Sequence, residues 1–198
     1  MRFCLFLFCT SKTNLVSIDR IILGIDPGTN ILGYGLIHNK DKKIDLITMD
    51  VLKLNKLTDQ HLKLKTIFEE TLAIIEKYKP DELAIESPFF GKNVQSMLKL
   101  GRAQGVAIAA ALYKSIPVFE YSPRKIKQAI TGKGNASKEQ VASMLGRIVC
   151  IETKPEYLDA TDALGVAVCH YFQKTPLTDK KSYTGWSSFI KNNPDRIR

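Results

Sequence analysis

The chain has 198 residues, 44% of them hydrophobic and 25% charged, a balance that lets one domain bury a sizeable core without disulfides or a structural metal. Its formal net charge of +9 calls for an anionic partner such as nucleic acid or a membrane surface. No apolar stretch approaches the ~20 residues that a spanning helix needs, which argues against membrane insertion.

The first residues, "MRFCLFLFCTSKTNLVSIDR", combine one early arginine with a brief apolar run and no A-x-A-like cleavage site, so residues 1–19 are expected to form a disordered extension rather than a secretory signal. The folded unit is expected over residues 20–174, followed by a basic, weakly structured tail over residues 175–198. "RIILGID" reads as a buried strand stopped by Pro27 and Gly28. In "ILGYGLIHN", Gly33 and Gly35 mark a second strand with close backbone approach or a bulge. "KKIDLITMDVLKL" has a broken period of two and reads as a more edge-like third strand.

From Thr58 the period changes to about 3.6. Leu64, Ile67, Phe68, Thr71, Leu72, Ile75 and Tyr78 share one face of a helix that ends before Pro80. "ELAIE" is a short strand, and "NVQSMLKLGRAQGVAIAAALYK" is a second helix. Its ridge of Gly101, Gly105, Ala109 and Leu112 is expected to pack on the sheet, with a contact to a second copy as the alternative. "IPVFEYS" supplies the fifth strand. "PRKIKQAITGKGNASKEQ" reads as a polar, basic connection, after which Ser137 and Gln140 at capping-box spacing open a helix. The last helix begins at Asp159 and runs to about Gln173. The element order predicts an α/β fold: a five-stranded mixed sheet, begun as an antiparallel meander, with helices packed on it.

The four cysteines form no C-x-x-C pair and no zinc-ligand spacing with histidine. They read as reduced thiols of a cytoplasmic protein. His38 and His61 are assigned no chemistry, and His170 is left open.

Carboxylates carry the candidate chemistry. Asp26 ends the first strand and Glu86 the fourth, so neighbouring strands would set them side by side. Asp159 and Asp162, at i and i+3, share one face of the last helix. Taken singly, Asp26 suits a turn, Asp159 a helix cap, and Asp162 the first-turn dipole. Glu86 has no such role at the end of an apolar strand. A converging set repels itself unless a cation intervenes, and all-oxygen donors favour a hard divalent ion such as magnesium.

Four stretches, "ILGIDPGTNILGYGLI", "LAIESPFFGKNVQSMLKLGRAQGVAIAAA", "VFEYSPRKIKQAITGKGNASKEQV" and "DATDALGVAVCH", resemble in order the signature blocks of the RuvC family of Holliday junction resolvases, covering roughly Ile21 to His170. The resemblance implies an RNase H-like fold with helices on both faces of the sheet. It implies a homodimeric crossover junction endodeoxyribonuclease that resolves four-way DNA by symmetric paired nicks, through two-metal hydrolysis with Mg2+ or Mn2+, in recombination and repair. It further implies RuvA and RuvB as partners. By position, Asp26, Glu86, Asp159 and Asp162 match the family's metal-binding acids, and Lys127 and Lys138 match basic residues near the scissile phosphate. Phe89 matches an aromatic that stacks on a base, while Arg124, Lys125 and Lys133 are candidate contacts to the DNA backbone. "IDPGTN" also resembles the phosphate loop of actin-like ATPases and sugar kinases, but those need a second domain and a second glycine-rich motif. A third possibility is a junction-binding module without catalysis, against which the intact acids argue.

Overall fold

The computed structural model describes residues 19–40, 43–88, 93–149 and 158–174. Three strands form the meander: β1 (Arg20–Asp26), β2 (Ile31–Lys40) and β3 (Lys43–Lys53). After them come α1 (Gln60–Tyr78), β4 (Glu82–Glu86), α2 (Val94–Tyr113) and β5 (Val118–Tyr121). The chain continues through α3 (Pro123–Thr131), α4 (Lys138–Ile148) and α5 (Leu158–Lys174). The sheet order is β3-β2-β1-β4-β5, with β1–β2 and β2–β3 antiparallel and β1–β4 and β4–β5 parallel. This is the five-stranded mixed sheet of the RNase H-like fold, with β3 at one edge. Among the described residues no helix is long and apolar enough to cross a membrane.

Alternation along the strands divides the apolar residues between two layers. Leu23 and Ile25 of β1 and Leu83 and Ile85 of β4 pack with Ile67 and Ile75 of α1 and with Ala103, Ala107 and Ala111 of α2. Ile22 and Ala84 face the other way, onto Ile126 and Ile130 of α3, Val141 and Leu145 of α4, and Leu164 and Ala167 of α5. Leu145 and Leu164 are fully buried, and each such side chain contributes about 1.5–3 kcal/mol.

Two expectations need correction. The basic stretch after β5 is not merely a connection, because residues 123–131 form α3. Ser122 caps it by accepting from the Lys125 amide, Pro123 opens it, and Gly132 closes it at a φ of 76°. Ile126 and Ile130, four apart, seat it in the core while its lysines stay outside. The Gly101–Gly105 ridge of α2 also does not pack on the sheet. A Cβ added at either glycine meets nothing within 4 Å, and the inward residues are Ala103, Gln104, Ala107, Ala110 and Ala111. The expected N-terminal extension and C-terminal tail, Asp19 aside, lie outside the described residues, as does Phe89.

Candidate metal centre

In β1, Ile22, Gly24 and Asp26 share one face of the sheet, and in β4 Glu82, Ala84 and Glu86 share the same one. The two strands run parallel with Ile25 opposite Ile85, so Asp26 and Glu86 emerge together at the strand ends.

Helix α5 crosses that face at unusually close range. A Cβ on Gly24 would lie 2.3 Å from the Ala163 carbonyl oxygen, one on Gly33 2.1 Å from that of Asp159, and one on Gly35 2.9 Å from the Leu164 Cα. Three glycines on two neighbouring strands therefore form a floor without side chains, and the helix backbone rests on it. The reading of Gly33 and Gly35 as sites of close approach holds, and the approaching element is α5. Asp159 lies inside the first turn of the helix, so it is more than a cap.

The result is convergence. One carboxylate oxygen from each of Asp26, Asp159 and Asp162 can be chosen so that all three lie within 4.8 Å of one another. Glu86 joins Asp26 and Asp162 in the wall of a cleft of about 220 Å³, closed on its other sides by Pro123, Ile126, Lys127, Lys138 and Val141. The Lys138 ammonium donates to Asp162 Oδ2 at 2.6 Å. Lys138 is the first residue of α4, fixed by a complete capping box in which Ser137 Oγ accepts from the Gln140 amide and Gln140 Oε1 accepts from the Ser137 amide.

Burial and mutual repulsion perturb this set. Desolvation, followed by the charges of Glu86, Asp162 and Asp159, pushes Asp26 from 3.8 up to about 8, against a smaller opposing pull from Lys138. Desolvation and then Asp162 push Glu86 from 4.5 up to about 7, offset in part by Lys138 and Lys127. The hydrogen bond to Asp162 raises the Lys138 ammonium above its ordinary value. Asp26 and Glu86, raised first by burial and then by the neighbouring acids, have only the partial compensation of Lys138 and Lys127. A donor set made only of carboxylate oxygens suits a hard divalent ion, so the residues fit the cofactor that the sequence suggested.

The basic candidates separate by position. Lys127 and Lys138 line the cleft. Lys133 lies in a neighbouring groove of about 430 Å³ with Thr131 and Arg147. Arg124 packs beside Gly134, the Lys125 ammonium sits 5.1 Å from the centre of the Tyr121 ring, and neither is part of the cleft wall.

Sequence reasoning missed a buried polar group beneath the cleft. Glu82 Oε2 accepts from Arg20 at 3.2 Å and from His170 Nε2 at 2.7 Å, while His170 Nδ1 lies 2.6 Å from the Tyr121 hydroxyl. A carboxylate only accepts, so Nε2 carries hydrogen, and in the neutral ring Nδ1 accepts from Tyr121. His170 is fully buried and stacks on Phe119 with ring centres 4.5 Å apart. Its one signal in the sequence was a histidine within an apolar helix. Cys169, beside it, is a free buried thiol pushed by desolvation up to about 11.

Comparisons with known proteins identify the family. The sequence pattern of the family described as "Crossover junction endodeoxyribonuclease RuvC" matches residues 22–170. A protein of that name from Cytophaga hutchinsonii is 62% identical over 188 residues, covering 95% of this chain and 93% of the relative. Its namesake from Bacteroides fragilis is 56% identical, covering 91% and 97%. Among solved structures, T. thermophilus RuvC in complex with Holliday junction substrate superposes with a TM-score of 0.73 at 32% identity, over 78% of this chain and 94% of that one. The yeast mitochondrial Holliday junction resolvase, at 16% identity and a TM-score of 0.56, shares the fold. The chain belongs to the RuvC family of crossover junction endodeoxyribonucleases.

Proposed function

We propose that this protein resolves four-way DNA junctions by paired, symmetric hydrolysis of phosphodiester bonds, in recombination and repair within the cytoplasm. The observation that carries the reading is the convergence of Asp26, Asp159 and Asp162 beside Glu86, at the mouth of a cleft whose cationic wall is Lys127 and Lys138. Asp26, Glu86, Asp159 and Asp162 hold two divalent ions, Mg2+ or Mn2+. When bound, such a pair supplies an activated water and neutralises charge on the departing 3′ oxygen.

The protein residues orient the substrate. Lys127 and Lys138 lie where a phosphate entering the cleft would find positive charge. Pro123, Ile126 and Val141 make the adjoining wall apolar, which strengthens electrostatics inside. Arg124, Lys125 and Lys133 contact the DNA backbone, and Phe89 stacks on a base near the crossover. The catalytic unit spans residues 20–174.

Nicking two opposing strands symmetrically requires two copies of the site related by a two-fold axis. The outward face of α2 suits that contact. Leu98, Leu112 and Tyr113 are 53%, 57% and 71% exposed, and Gly101 and Gly105 border open space. RuvA and RuvB are the partners expected to present the junction. The Thermus structure, a RuvC bound to Holliday junction substrate, supports the choice of DNA.

The test incubates purified protein with a synthetic four-way junction and magnesium. Paired nicks at symmetric positions are expected from the wild type and none from Asp26→Asn. Nicking that survives the substitution removes the metal-site assignment, and intact junctions with the wild type remove the function.

A further inference from the structure

We propose that Lys138 is a built-in counter-cation for the carboxylate cluster, holding a place on Asp162 that a divalent ion takes over, so that metal loading releases the ammonium toward the DNA. The proposal rests on the reading of the cluster as a metal centre and adds an order of events to it.

Three observations carry it. The Lys138 Nζ to Asp162 Oδ2 contact is 2.6 Å, and Asp162 belongs to the group whose carboxylate oxygens come within 4.8 Å of one another. The ammonium thus already neutralises an acid that an ion would need, and two cations on one carboxylate repel each other. Secondly, Lys138 opens α4, where the helix dipole disfavours positive charge, yet the capping box of Ser137 and Gln140 holds the backbone firmly there. The position works against helix stability and in favour of the contact with Asp162. Thirdly, the Lys138 side chain is 57% exposed whereas that of Asp162 is 21% exposed. An exposed pair of this kind is weak and easily exchanged, so an ion gathering several carboxylates displaces it without reorganising the fold.

The consequence is a sequence of steps. In the metal-free protein Lys138 relieves the repulsion that would otherwise open the cluster. Once an ion sits against Asp162, the lysine is free to swing on its flexible stem, still anchored at the rim of the cleft that it lines. Metal then precedes capture of the scissile phosphate by this lysine.

Lys127 supplies the control, since it lines the same cleft with no ion pair to a carboxylate among the described residues. Mn2+ binding without DNA is measured by electron paramagnetic resonance for the wild type, Lys138→Gln and Lys127→Gln. Lys138→Gln should bind Mn2+ roughly three- to tenfold more tightly than the wild type, and Lys127→Gln less than about twofold more tightly. In the wild type, saturation with diamagnetic Mg2+ should also shift the Lys138 ammonium signal in heteronuclear NMR. Equal affinities for the two variants, a weaker Lys138→Gln, or an unmoved signal overturns the exchange while leaving the metal centre intact. Absence of Mn2+ binding by all three proteins overturns the metal reading itself.

Discussion

The carbonyl oxygen of Asp159 lies so close above Gly33 that a methyl group on the glycine would stand 2.1 Å from it. A residue of β2 that carries no chemistry thereby sets the height of one acid of the candidate metal site. Gly33→Ala forces helix and strand apart at that end. It is expected to cost about 1–3 kcal/mol by overpacking and to weaken Mn2+ binding, as read by urea denaturation and metal titration. Gly146→Ala is the matched control: in α4 its added Cβ meets nothing within 4 Å, and it should stabilise by about 0.5–1 kcal/mol without altering metal affinity.

Burial of Asp26, reinforced by repulsion from the neighbouring acids, makes the metal-free protein sensitive to pH in an uncommon direction. The folded state holds a proton on Asp26 up to about pH 8, whereas an unfolded aspartate loses it near 3.8. Folding therefore binds a proton in that window, and the contribution of Asp26 to stability declines as pH rises through it. Asp26→Asn mimics the protonated form. Its melting temperature should match the wild type at about pH 4 and exceed it increasingly up to about pH 8, without metal. Saturating magnesium should reverse the order at high pH, since the ion stabilises the charged wild-type site. A constant difference across the range would contradict the assignment.

The buried contacts of His170 with Glu82 and Tyr121 join α5 to β4 and β5. Tyr121→Phe removes the hydroxyl donor to His170 while keeping the ring in the core. It should cost about 1–3 kcal/mol in urea denaturation, because a fully buried nitrogen loses its partner. Mn2+ affinity should change little, since Tyr121 lies opposite Glu86 in the sheet but its hydroxyl is turned away to His170 and is not part of the cleft wall.

If α2 forms the two-fold contact, a charge on its outward face separates the protomers. Leu98→Asp should leave the fold intact, since the side chain is 53% exposed, and shift sedimentation from dimer to monomer. Junction cleavage should then yield single, uncoupled nicks.

Much of this site was legible because its determinants lie at ends. The apolar runs "RIILGID" and "ELAIE" each end in a carboxylate, which puts Asp26 and Glu86 at neighbouring strand ends, and the three-residue spacing of Asp159 and Asp162 sets that pair on one face of α5. Helix α3 was obscured because Arg124, Lys125 and Lys127 dominate a nine-residue element whose burial rests chiefly on Ile126 and Ile130, although Ser122-Pro123 and Gly132 mark its ends. The outward turn of Gly101 and Gly105 was equally hidden. A run as apolar as "GVAIAAALY" has no polar face to orient it, and the alanines that meet the sheet resemble those that do not. The contact of Arg20, Glu82 and His170 joins segments up to 150 residues apart in the chain, beyond the reach of any local pattern.

The glycine floor also ties the chemistry to the order in which the chain is made. Asp26 leaves the ribosome early, and Asp159 and Asp162 come only with α5, which must descend onto Gly24, Gly33 and Gly35 before the acids meet. An incomplete or half-folded chain therefore holds scattered carboxylates with little affinity for metal. The cluster exists only once α5 is seated on that floor, and a chain that stops short of Leu158 cannot assemble it.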